Sequence, residues 1–170
     1  IYDCSAEHSV LDGNGHTISN WNLKNRYYIF ERVYDSSVIK NLTVQVSAEF
    51  ESEYDFGVIA KYAYDSRFEN ITINGSITNK NSEGDYQGGI TGYADDCELS
   101  DCINNADITI EGDHVGGIVG CGYYLSISNC MNNGDIYSDG DEVAGIIGET
   151  YNVKITDCKN TGKITTEDEQ

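Results

Sequence analysis

The sequence repeats itself every 28 residues, and that period limits the folds open to it. Gly89-Ile90-Thr91-Gly92 recurs as Gly117-Ile118-Val119-Gly120 and again as Gly145-Ile146-Ile147-Gly148. Cys102, Cys130 and Cys158 keep the same step, as do Leu99, Ile127 and Ile155, and Ile108, Ile136 and Ile164. A fixed period in this range means that each repeat is one supersecondary unit, which buries its apolar face only by stacking on its neighbours. Each late repeat holds three short apolar stretches. In one copy these are Val115 to Val119, Leu125 to Ile127, and Cys130 with Ile136 across Asn132-Asn133-Gly134-Asp135. β-Branched residues punctuated by Gly, Asn and Asp, with no helical period, read as strands and turns. Three short strands per repeat, with no helix to return the chain, predict a right-handed parallel β-helix: an all-β solenoid.

The pattern extends backwards less regularly. Gly57-Val58-Ile59-Ala60 lies 32 residues before the first Gly stretch, and Asn70 through Ile77 matches Asp101 through Ile108 at a step of 31. Most of the excess falls in the loop Thr78 to Gly84. A single domain of about six coils follows, with residues 1–52 as irregular opening coils and 53–170 as the regular repeats. At roughly 4.8 Å per rung the stack is about 29 Å tall. Three inward columns are expected: Leu42, Ile71, Cys102, Cys130, Cys158; Phe68, Leu99, Ile127, Ile155; and Ile77, Ile108, Ile136, Ile164. Gly75, Gly134 and Gly162 mark a turn needing positive φ or close backbone approach, so Ala106 in their column is expected to be strained. Asn104, Asn132 and Asn160 are placed to stack their amides into a hydrogen-bonded ladder.

Gly117-Ile118-Val119-Gly120, followed by Ser128-Asn129-Cys130-Met131-Asn132-Asn133-Gly134-Asp135-Ile136, resembles the GLUG repeat of bacterial surface proteins and of non-catalytic parts of immunoglobulin A-cleaving metallopeptidases. The likeness covers residues 85–170 well and 53–84 loosely. Leu11-Asp12-Gly13-Asn14-Gly15-His16-Thr17-Ile18 is similar to the opening coil of β-helix proteins of the pectate-lyase type. The resemblance implies a surface-exposed repeat module for adhesion or display, at the cell surface or outside the cell. It implies no catalytic residue and no required cofactor.

Composition narrows the partners. A net charge of −19 argues against nucleic acid, which needs clustered Lys and Arg, and against anionic membrane surfaces. No apolar run approaches the length of a membrane-spanning helix, so no membrane insertion is expected. The absence of proline suits a chain whose backbone N–H groups sit in ladders. The chain begins at Ile1 without a signal peptide, which reads as a processed or excised segment.

Two groups of residues are candidates for binding. Tyr62, Tyr64, Tyr93, Tyr123, Tyr124 and Tyr151 fall between the Gly stretches and the strands that follow, with Tyr34 earlier in the series and Asp95-Asp96 in place of tyrosines in the third coil. Stacked phenols offer an apolar face with a polar tip, suited to the sugar rings of host or cell-surface glycans or to a protein partner; alternatively they cover the core at a wide corner. The acidic turns Glu83-Gly84-Asp85, Glu111-Gly112-Asp113 and Asp139-Gly140-Asp141 recur at step 28. Like charges one rung apart repel by ~0.9 kcal/mol per pair even in water, and Ca²⁺ would relieve this; carboxylates splayed into solvent are the alternative.

Other signals are weaker. Cys102, Cys130 and Cys158 read as small core hydrophobes, with one rung-to-rung disulfide within reach. His8, His16 and His114 do not cluster in sequence, and no nucleophile–base constellation is visible. Asp95-Asp96 is a carboxylate pair of the kind a glycan-cleaving enzyme uses. Asn41, Asn70 and Asn74 open N-glycosylation sequons. Neither end shows a capping helix, so the stack is expected to continue into further repeats of a parent chain or to abut a second copy end to end, which builds filaments. The leading expectation is a non-enzymatic extracellular structural or adhesive module, with glycan recognition and glycan cleavage as alternatives.

Overall fold

The computed structural model describes residues 4–21, 28–80 and 86–167. Every regular element among them is a β-strand, and every strand pairing is parallel. The chain winds through about five turns of a β-solenoid with three walls. The first wall stacks six strands: Ser5–Glu7, Phe30–Tyr34, Ala60–Tyr64, Thr91–Asp95, Val119–Tyr123 and Ile147–Tyr151. The second is an eleven-stranded sheet that opens with Val10–Trp21, Val38–Phe50 and Arg67–Asn79. The third is narrow, with Phe56–Gly57, Gln87–Gly88 and Val115–Gly116.

The expected columns are the core. Phe68, Leu99, Ile127 and Ile155 are in register, as are Ile77, Ile108, Ile136 and Ile164. The interior members are fully buried, each worth ~1.5–3 kcal/mol of apolar transfer. Burial falls along the stack, and in the last rung Ile155 is 47% and Ile164 38% exposed.

The corners carry a signal that the columns hide. Asn41, Asn70, Asp101, Asn129 and Asp157 all adopt φ between 52 and 55°, one residue before the Leu/Ile/Cys column. Asn and Asp tolerate this left-handed region because a short polar side chain bonds locally. A second such column, Ser36, Asp65, Asp96, Tyr124 and Asn152, links the first wall to the second.

Three expectations change. Val115 to Val119 is not one strand: the chain bends at Gly117-Ile118, so Val115–Gly116 and Val119–Tyr123 belong to different walls. The coil from Val115 to Ser138 therefore holds five short strands rather than three, and the coils on either side hold four. Ala106 is not strained. It lies inside the extended strand Ile103–Ile110 with no positive φ, whereas at Gly134 the strand breaks into Met131–Asn132 and Ile136–Ser138. Gly134 and Gly162 serve close approach: a Cβ on either would lie 1.9 Å from the carbonyl oxygen of the rung beneath. Gly75 adds φ +117. No cysteine is bridged. Cys102, Cys130 and Cys158 instead each direct Sγ to the carbonyl two residues earlier, at 3.4 Å.

The asparagine ladder is present and has a partner column. Asn104 Nδ2 donates to Asn132 Oδ1 at 2.7 Å, and Asn132 Nδ2 donates to Asn160 Oδ1 at 2.8 Å. Each amide also donates to the carbonyl two residues on. Gly89, Gly117 and Gly145 face this ladder; a Cβ on Gly117 would lie 2.6 Å from Asn132 Cγ. One rung earlier the register replaces Asn104 by Ile73 and Gly89 by Val58, both buried. Two apolar side chains there give way to a hydrogen-bonded amide against a glycine, so the Gly and Asn motifs are two halves of one packing arrangement.

Candidate functional site

The tyrosines singled out in the sequence form one ribbon on the outer surface of the first wall. Alternation along each strand sends Ala63, Ala94 and Gly122 inward and their neighbours outward. Register then builds two outward columns. One runs Arg32, Tyr62, Tyr93, Cys121, Glu149, and the other ends Tyr64, Asp95, Tyr123, Tyr151. Ring centroids lie 6.4 Å apart for Tyr62–Tyr93, 5.7 Å for Tyr64–Tyr93 and Tyr93–Tyr123, 5.9 Å for Tyr123–Tyr151 and 5.6 Å for Tyr124–Tyr151. These are tilted and edge-on contacts of the kind aromatic quadrupoles favour. Tyr86 joins from the third wall, 5.7 Å from Tyr93. Cations close one end: Lys61 Nζ sits 4.8 Å over Tyr62, and the Arg32 guanidinium 5.9 Å.

All six predicted tyrosines are thus brought together, and Tyr34 is not. Its hydroxyl donates to Glu7 Oε2 at 2.9 Å. The ribbon is half-buried at Tyr93 and open at Tyr124 and Tyr151, which are 53% and 57% exposed. Burial, then the Asp95 charge, pushes the Tyr93 phenol up to about 12. Burial, then a hydrogen bond to Asp55, raises Tyr62 further. Tyr62 and Tyr93 therefore stay neutral donors at any physiological pH. Tyr124 occupies the left-handed corner at φ 52, where the rungs on either side place Asp96 and Asn152. A bulky residue at such a position costs of order 1 kcal/mol or more.

The acidic turns assemble in part. Glu83 and Asp85 lie outside the described residues. Asp113 Oδ1 accepts the backbone N–H of Asp141 at 2.8 Å, and Asp135 accepts from Lys163 in the same way. Backbone dipoles from the next rung thus take up part of the charge. Asp113, Asp139, Asp141 and Glu167 line one acidic groove, but Glu111, Asp113, Asp139 and Asp141 supply no three ligand atoms within 4.8 Å of one another. Asp95 and Asp96 are separated by the corner: Asp95 belongs to the tyrosine column, while Asp96 lines a shallow groove with Arg67 and Glu98. The sequon asparagines are engaged. Asn41 Nδ2 donates to Asp12, Asn70 Nδ2 to Asn41, and Asn74 Oδ1 accepts from Asn105.

Sequence reading missed a cluster beside the ribbon. His114 Nε2 lies 2.8 Å from Glu142 Oε2 and 3.6 Å from Glu149 Oε2. Cys121 Sγ lies 3.3 Å from the same Glu149 oxygen. The signal was available, since 114 to 142 and 121 to 149 are both steps of 28. His114 aligns with Tyr86 and Glu142 in one column, whereas Glu149 lies 35 residues from His114, off the period.

The fold is a parallel β-solenoid, and one of its repeats matches a known family model. Residues 112–137 match the family model described as "Glug: The GLUG motif". No curated protein sequence matches the chain. Among solved structures it is similar to one described as a "putative immunoglobulin A1 protease from Bacteroides ovatus", with a TM-score of 0.74 at 18% identity. The similarity covers 91% of this chain and 61% of that one. At that identity the likeness concerns the fold alone.

Proposed function

We propose that the chain is a non-enzymatic, extracellular adhesive repeat module whose binding face is the tyrosine ribbon. The observation that carries this reading is Tyr124. A bulky ring is held at a left-handed corner, against the backbone preference that Asp and Asn satisfy elsewhere in the column, and the result is one more exposed ring beside Tyr151. Half-exposed rings at rung spacing, with neutral hydroxyls, suit the alternating apolar faces and hydroxyls of a glycan. Glycan-array binding of the purified chain tests this. Retention should be lost in Tyr124→Asn/Tyr151→Ala while circular dichroism stays unchanged; equal retention would remove the ribbon as the binding face.

The second element of the reading is architectural. Ile155 and Ile164, part-exposed in the last described rung, offer an apolar face on which a second copy would stack end to end or a further rung of a parent chain would rest. Light scattering over a wide concentration range, with and without Ca²⁺ for the acidic groove, distinguishes these. Concentration-dependent polymers abolished by Ile155→Lys mean self-stacking, and a monomer at all concentrations removes it.

A further inference from the structure

We propose that His114, Glu142 and Glu149 form a binding site for a single divalent transition-metal ion of the zinc type. The three ligand atoms converge from two rungs: His114 and Glu142 occupy successive turns of the corner that leads into the third wall, and Glu149 comes from the first-wall strand Ile147–Tyr151. With zinc–nitrogen and zinc–oxygen bonds of about 2.0–2.2 Å, tetrahedral ligands stand about 3.3 Å apart. The two measured separations from the imidazole, 2.8 and 3.6 Å, bracket that value. The three ligand atoms already lie within 4.8 Å of one another, so closing on an ion falls to side-chain rotation.

The donors select the ion. One imidazole nitrogen with two carboxylates is a mixed nitrogen and oxygen donor set of ligand types that zinc takes, whereas calcium takes six or more oxygens and makes no use of imidazole. A solvent molecule or a ligand group would complete the shell, because the Glu142 side chain remains 52% exposed.

The surroundings hold two of the three ligands in place. Cys121 Sγ donates to Glu149 Oε2, fixing that carboxylate. The His114 ring packs 5.4 Å from Tyr86, which in turn touches Tyr93 in the ribbon. A net charge of −19 concentrates cations near the surface. A second group, Glu7, His8 and Asp35, is looser: His8 Nδ1 lies 3.8 and 3.9 Å from its carboxylates, all three residues are exposed, and Tyr34 occupies Glu7.

Titration of the intact chain with Zn²⁺, by calorimetry and thermal melts in calcium-containing buffer, tests the proposal. Expected are one saturable equivalent and a raised Tm, both lost in His114→Asn, which keeps the left-handed corner, and in Glu142→Gln/Glu149→Gln. His8→Asn should leave both unchanged. Co²⁺ in the same site should give tetrahedral visible absorption that is lost in His114→Asn. Binding that survives His114→Asn, or that Ca²⁺ displaces at equal concentration, overturns the proposal and means diffuse attraction to an acidic surface.

Discussion

Tyr124 concentrates the tension between stability and binding in one residue. It holds φ 52 in a column where Asp65, Asp96 and Asn152 take the same conformation with short polar side chains. Tyr124→Asn should raise stability by about 1 kcal/mol in urea unfolding, since it removes left-handed strain without touching the core. Tyr93 gives a pH prediction with a defined sign. Its folded value of about 12 stands above the ordinary tyrosine value, so its contribution is fully present below the unfolded value and is lost as pH rises toward 12. Near-ultraviolet titration should show part of the tyrosine absorbance ionising only there, together with loss of β circular dichroism. Tyr93→Phe should reduce that late phase, leaving the part that Tyr62 contributes.

At the scale of the strand, depth along the stack decides what a substitution costs. Ile127 and Ile155 are the same residue in the same column one rung apart, yet one is fully buried and the other 47% exposed. Ile127→Ala should cost about 2–5 kcal/mol through the cavity it leaves. Ile155→Ala should cost under about 1 kcal/mol in this chain, and the comparison by denaturant melts checks the burial gradient directly. The buried ladder gives the polar counterpart. Asn132→Ala orphans the Asn104–Asn160 relay and should cost about 1–3 kcal/mol. Gly117→Ala should be at least as damaging, because its Cβ would meet both the Gly145 carbonyl, 2.2 Å away, and the Asn132 amide.

For the whole molecule, each rung touches only its neighbours, so stability accumulates nearly as a sum over rungs and interfaces. Self-repulsion from a charge of −19 opposes that sum. Raising NaCl from about 0.15 to 1 M shortens the screening length from about 8 to 3 Å and should raise Tm. A Tm that falls with salt would mean that ion pairs such as Lys80–Glu49 and Lys40–Asp12 outweigh the repulsion.

The sequence by itself determined the solenoid, the rung register, the inward columns, the asparagine ladder and the gathering of the tyrosines. All of these follow from residues that recur at one step, because parallel stacking converts a sequence period into vertical adjacency. Only the tertiary structure decided what lies across the coil or around a corner. The bend at Gly117-Ile118, the pairing of Gly117 with Asn132, the ease of Ala106, the separation of Asp95 from Asp96 and the meeting of His114 with Glu149 are not spaced by the period. They depend on where each corner turns the chain; the left-handed φ that sets the angle recurs with the period, but on Ser, Asp, Asn and Tyr alike, so residue identity does not announce it.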